Sequence, residues 1–177
     1  GSLDHLLCYA VKANANIAIL ELLASLDCGF DAVSIGELAR VLVAGGDPQK
    51  SILSGVGKRD DELATALRAD LPHICVDSAA ELAAVSAQAQ HRGRPAQVSV
   101  RVNPDVDALT HPYIATGLEQ NKFGVPVIDA AALYARGNGD PNLEMVGVTF
   151  HIGSQITTLS PFEDVARRAA KLSRELM

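Results

Sequence analysis

Short apolar runs recur along the chain, and each ends on residues of a different character. Five of them end near Lys12, Asp31, Ser54, Asp77 and Arg101, at near-equal intervals; a sixth, Met145 to Phe150, ends at His151 after a longer gap. Runs this short and this apolar read as buried strands. Between them the spacing turns helical. Ile17, Leu20, Leu23 and Leu26 follow Asn16, an N-cap residue type. Ser34-Ile35-Gly36-Glu37 and Ser78-Ala79-Ala80-Glu81 match the capping box, in which hydroxyl and carboxylate satisfy the first free amides of a helix. Gly45-Gly46 stops the first of these helices, and Gly93 with Pro95 stops the second. Further helices are predicted over 60–69, 128–136 and 161–176.

Strand and helix in alternation give right-handed βαβ units and a parallel sheet. An open doubly wound sheet and a closed barrel both satisfy that pattern. No G-x-G-x-x-G turn follows the first strand, which weighs against a dinucleotide-binding open sheet. Polar residues with useful chemistry end several different strands, as in barrels whose active sites gather at the C-terminal ends of the strands. The expectation is therefore an α/β fold of (β/α)8 TIM-barrel type, with about the first six βα units present over residues 1–177.

Composition excludes several classes. The chain has 177 residues, 48% hydrophobic and 20% charged, with net charge −6, 4% aromatics and no Trp. That describes one globular domain with ample core and nothing basic enough for a nucleic-acid surface. No apolar stretch approaches the roughly 18–20 residues that span a bilayer. The opening Gly1-Ser2, without a Met, resembles a tag remnant or a cut chain. Cys8, Cys28 and Cys75 are odd in number and form no Cys-x-x-Cys pair, so they read as small buried hydrophobes in a reducing cytosol.

Lys12 is the candidate for chemistry. It follows Leu6-Leu7-Cys8-Tyr9-Ala10-Val11 and precedes Ala13-Asn14-Ala15-Asn16. An amine where a strand leaves the core is partly desolvated, which favours the neutral nucleophile that Schiff-base chemistry needs. An ordinary surface lysine at a strand end fits the same spacing.

Four segments in register decide between these readings. They are Tyr9-Ala10-Val11-Lys12-Ala13-Asn14; Phe30-Asp31-Ala32-Val33-Ser34-Ile35-Gly36-Glu37-Leu38; Arg101-Val102-Asn103-Pro104-Asp105-Val106, running on to Asn121-Lys122-Phe123-Gly124; and His151-Ile152-Gly153-Ser154-Gln155. From Tyr9 to about Phe162 the chain resembles the pyridoxal-phosphate-dependent decarboxylases of the alanine-racemase fold type. The resemblance implies that Lys12 holds pyridoxal 5'-phosphate covalently. It implies that His151 stacks on the cofactor ring, that Asp31 and Arg101 line the pocket, and that Ser154 beside Gly153 approaches the phosphate. The stretch from Asp105 to Gly124, with His111 and Lys122, resembles a family loop near the mouth and dimer contact.

Thr110-His111-Pro112-Tyr113-Ile114 and the His151 segment resemble the diaminopimelate branch more than the ornithine branch. The implied reaction is decarboxylation of meso-diaminopimelate to L-lysine by a cytoplasmic homodimer. A decarboxylase of another diamino acid, or a non-catalytic binder of cofactor or subunit, stays open. A complete barrel has eight strands and about 250 residues. The family's glycine-rich and Glu-Pro-Gly-Arg segments and its C-terminal β-domain are not found here. The expectation is a fragment of a longer enzyme, with exposed sheet edges and little activity alone.

Overall fold

The apolar runs are strands, and they lie side by side in the order in which they occur. In a computed structural model, which describes residues 4–104, 123–154 and 156–176, strand and helix alternate along the chain. The first half runs β1 (Cys8–Ala10), α1 (Ile17–Ser25), β2 (Gly29–Ala32), α2 (Ile35–Val43), β3 (Ser51–Leu53) and α3 (Asp60–Arg68). The second half runs β4 (His73–Val76), α4 (Ala79–Arg92), β5 (Ala96–Asn103), β6 (Val125–Pro126), α5 (Val127–Asn138), β7 (Leu143–Phe150) and α6 (Ser160–Leu176). Every pairing is parallel, β1 to β2 to β3 to β4 to β5, with β7 next to β5. A doubly wound sheet reverses its strand order at a switch point. These strands never reverse, so the succession is that of a barrel.

Two details depart from expectation. Among the described residues the sheet has seven strands rather than six, because β6 pairs Val125 with Val102 and Pro126 with Asn103. Val102 already pairs with Phe150 of β7, so β6 takes the other edge of β5, beyond the point where β4 ends at Val76. Gly124 makes this approach: its φ is +87°, and a Cβ there would stand 3.2 Å from the Arg101 carbonyl oxygen. The second departure is Lys12, which lies in a 3-10 turn, Val11–Ala13, just beyond β1. The expected mouth loop with His111 and Lys122 falls in 105–122, outside the described residues.

The register explains why the strands look uniformly apolar yet carry chemistry. Side chains alternate between the two faces of a strand. One face presents Phe30, Ala32, Leu53, Ile74, Val76, Val98, Val100 and Val102, all buried, with α3, α4 and α5 contributing Leu63, Leu82, Val85 and Leu133 to the main core. A smaller cluster of Val11, Leu20, Phe30, Val41 and Ala44 joins the first two helices to β2. The opposite face carries Asp31 and Ile52, which are direct partners, then Cys75 with Ser99, and Arg101 with Thr149. Between Val98 and Ser99 a bulge inserts Val146 on β7 and resets this alternation.

Both marked helix starts are capped, with one shift. Ser34 Oγ accepts from Glu37 N and Ser78 Oγ accepts from Glu81 N, each at 3.2 Å. The returning carboxylates reach one residue further back than a capping box requires. Glu37 accepts from Val33 N and Glu81 from Asp77 N, each at 2.8 Å. The residues just past the ends of β2 and β4 are thereby tied to the helices that follow them.

Candidate active site

The inner face of the sheet opens at the C-terminal ends of the strands into a cavity of about 470 Å3, and Lys12, Asp31, Arg101, His151 and Ser154 all line it. That volume falls within the ~300–1,000 Å3 of small-molecule clefts. Five residues spread over 143 positions of sequence share this wall only because parallel strands bring their C-terminal ends to one side.

Each is held differently. The turn carrying Lys12 is pinned by Tyr9, whose hydroxyl donates to the Asn14 carbonyl at 3.4 Å, and by Asn14 Oδ1, which accepts from Asn16 N at 3.0 Å. The Lys12 side chain is exposed. The desolvation expected of it is not supplied by the described residues, because the sheet beyond β1 has no further strand among them to wall it in. Asp31 accepts a 2.5 Å hydrogen bond from Ser54 Oγ of the neighbouring strand end. His151 is half-buried, and its imidazole is held below its ordinary pKa, first by burial and then by the positive charges of Arg101 and Lys12, with Asp31 opposing. Ser154 is exposed, two residues past buried Ile152 and next to Gly153, whose φ is +144°. Arg101 Nε lies 3.6 Å from Asp77 Oδ1, and its guanidinium carbon sits 5.7 Å from the centre of the Phe123 ring.

The structure adds residues that sequence reading does not assign to the site. Cys75 and Thr149 also line the cavity, and their Sγ and Oγ1 atoms are in hydrogen-bonding contact across β5. Cys75 is buried as expected, and burial raises its thiol pKa; Cys8 and Cys28 are only half-buried, a correction to the reading of all three as buried hydrophobes. Behind the wall, Lys58 Nζ lies 3.1 Å from Glu81 and donates to the carbonyls of Gly55 and Cys75. The alternation of faces could have flagged Cys75 and Thr149; only tertiary contact reveals Lys58. A smaller cavity of about 250 Å3 opens among Gln49, Asp70, Arg92 and Arg94, but there both guanidiniums already pair with Asp70.

An amine, a guanidinium, an imidazole kept neutral and a hydroxyl around one cleft suit a flat, anionic, carbonyl-bearing group. The amine can bond to an aldehyde, the cation can meet negative charge, and the neutral ring can lie against another ring. These residues fit pyridoxal phosphate. No group of three His, Cys, Asp or Glu with metal-binding geometry occurs among the described residues, and none of their helices is long and apolar enough to cross a membrane.

Comparison with known proteins agrees with the geometry. The chain is 52% identical over 94% of its length to the diaminopimelate decarboxylase of Pseudomonas aeruginosa, spanning 40% of that protein. It is 50% identical over 97% of its length to that of Vibrio cholerae, spanning 41%. The chain thus covers about two fifths of the length of these relatives. Its backbone matches the crystal structure of diaminopimelate decarboxylase from Helicobacter pylori complexed with L-lysine, with a TM-score of 0.94 and 45% identity, over 97% of this chain and 43% of that one. Residues 2–177 match the family described as pyridoxal-dependent decarboxylase, pyridoxal binding domain. The chain belongs to the pyridoxal-dependent decarboxylases.

Proposed function

We propose that this chain is the pyridoxal-phosphate-binding part of a cytoplasmic, homodimeric decarboxylase that converts meso-diaminopimelate to L-lysine and CO2. The observation that carries this reading is the convergence of Lys12, Asp31, Arg101, His151 and Ser154 on one cavity at the strand ends. Identities near 50% to diaminopimelate decarboxylases support the choice of substrate.

The cofactor, when bound, supplies an aldehyde for amines and a ring that takes up the electron pair left as CO2 departs. Lys12 provides the amine that holds it. The turn pinned by Tyr9 and Asn14 keeps Lys12 at the cavity wall, where its amine would hold the cofactor. His151 presents a flat imidazole whose burial and cationic neighbours hold its pKa down, so it would lie against the ring with little added positive charge. Arg101 supplies a cation at the cavity wall. Asp31, steadied by Ser54, supplies the opposing negative charge. The Ser154 hydroxyl, which lines the same cavity, would be available to the phosphate.

Decarboxylation by the intact gene product carrying this sequence tests the proposal. Release of CO2 from carboxyl-labelled meso-diaminopimelate, dependent on added pyridoxal phosphate and lost in Lys12→Ala, is the expected result. Preference for ornithine or arginine, or binding of cofactor with no CO2 release, would replace it.

A further inference from the structure

Asp77 stands just past the end of β4 with its side chain only 9% exposed. Neither carboxylate oxygen has a hydrogen-bond partner among the described residues, and both are shut away from solvent. An unsatisfied buried carboxylate is costly, and burial accordingly pushes the Asp77 carboxyl above its ordinary pKa. The charged groups around it come from three elements: Arg101 on β5, Lys58 in the loop after β3, and Glu81 on α4. Lys58 is engaged by Glu81 at 3.1 Å and by two carbonyls. That leaves Arg101, at 3.6 Å through Nε, as the one cation within 4 Å of Asp77 among the described residues.

The placement of Asp77 is rigid although its carboxylate makes no hydrogen bond. Its backbone N–H donates to Glu81 at 2.8 Å, and the carbonyl of Cys75, two residues earlier, accepts from Lys58. Arg101 has its backbone fixed opposite Thr149, but its side chain is long and ends in the cavity. Asp77 itself does not line that cavity; it lies on the wall of a separate cleft between the start of α4 and α5. A carboxylate in this position can act on the cavity only through the arginine.

We infer that Asp77 is a positioning residue: it holds Nε of Arg101 from behind, so that the terminal nitrogens of the guanidinium face the bound cofactor. Phe123 packs on the guanidinium and leaves its direction along the cavity wall to Asp77. The inference rests on the reading of Arg101 as a cofactor-facing group. It extends that reading by one residue that no cofactor contact would identify.

A double-mutant cycle on this chain tests it, reading equilibrium binding of pyridoxal phosphate by absorbance, with thermal melting as the check on folding. Asp77→Asn keeps the shape and removes the charge. It is expected to weaken binding about tenfold or more, the scale of partners that orient a contacting residue. In an Arg101→Met background the same substitution is expected to add nothing. Losses that multiply instead would place the action of Asp77 elsewhere and overturn the inference. If Arg101→Met weakens binding and Asp77→Asn does not, the inference alone fails.

If Arg101→Met leaves binding unchanged, or the chain binds no cofactor, the reading of Arg101 fails. The positioning contact is then judged without ligand, by nitrogen-15 resonance of Arg101 Nε–H. A shifted, faster-exchanging signal in Asp77→Asn is expected; a wild-type signal overturns the contact. Should Asp77→Asn melt early, Arg101→Lys, which keeps the charge and loses Nε, takes its place. It is expected to weaken binding as much as Arg101→Met, and wild-type binding would overturn the inference.

Discussion

Lys58 and Glu81 form an ion pair of 3.1 Å with side chains only 3% and 8% exposed, joining the loop after β3 to the first turn of α4. The same carboxylate also holds the backbone of Asp77, and the same ammonium holds the carbonyls of Gly55 and Cys75. Two strand ends that border the cavity are therefore fixed through one buried pair. Removing one partner leaves the other charged and buried, which costs about 3–5 kcal/mol.

Glu81→Gln is accordingly expected to lower the free energy of unfolding by about 3–5 kcal/mol, measured by urea titration. The double replacement Lys58→Met with Glu81→Leu is expected to cost less than Glu81→Gln alone, because it leaves no buried charge behind. A double variant as unstable as the sum of both single ones would show that the pair contributes by packing rather than by charge.

Gly55 borders the cavity with φ of +92°, and a Cβ there would stand 2.8 Å from the Val33 carbonyl oxygen. Gly55→Ala combines that contact with a backbone conformation that costs an L-residue roughly 1–2 kcal/mol. Loss of at least about that much stability in urea is expected, together with weaker binding of pyridoxal phosphate.

His73 and His151 are both held below their ordinary pKa, burial being the first cause for each. Asp31 pulls each the other way, and Arg101 and Lys12 push His151 further down. The unfolded chain therefore takes up protons first as pH falls through about 6.5. Stability is undiminished above that value and declines below it, until the folded imidazoles protonate too. Urea unfolding at pH 7.5 and 5.5 is expected to show the lower stability at 5.5. The difference should shrink in His73→Gln and in His151→Gln; an unchanged difference would assign the loss to other groups.

Much of this is legible in the sequence because strand ends announce themselves. The change from an apolar run to Asp31, Arg101 or His151 marks which residue stands at the cavity. β2 and β5 nevertheless run on past Asp31 and Arg101, to Ala32 and Asn103, and only His151 lies just beyond its strand. Helix starts are equally plain, since Ser34 and Ser78 carry their capping partners three residues ahead. What stays hidden needs two elements at once. Asp31 meets Ser54, and Lys58 meets Glu81, across 23 residues and only after adjacent strands pair. The bulge at Val146 shifts faces in a way no hydrophobic count registers. β6, two residues ending in Pro126, is too short to show any period. The exposure of Lys12 follows from which strands stand beside it, which its own flanking residues do not encode.

Borohydride trapping with pyridoxal phosphate, followed by peptide mass mapping, tests the central claim most directly. A phosphopyridoxyl group on Lys12, absent in Lys12→Ala and reduced in Arg101→Met, is the predicted result. Label scattered over Lys50, Lys58 and Lys171 with no preference for Lys12 would contradict it.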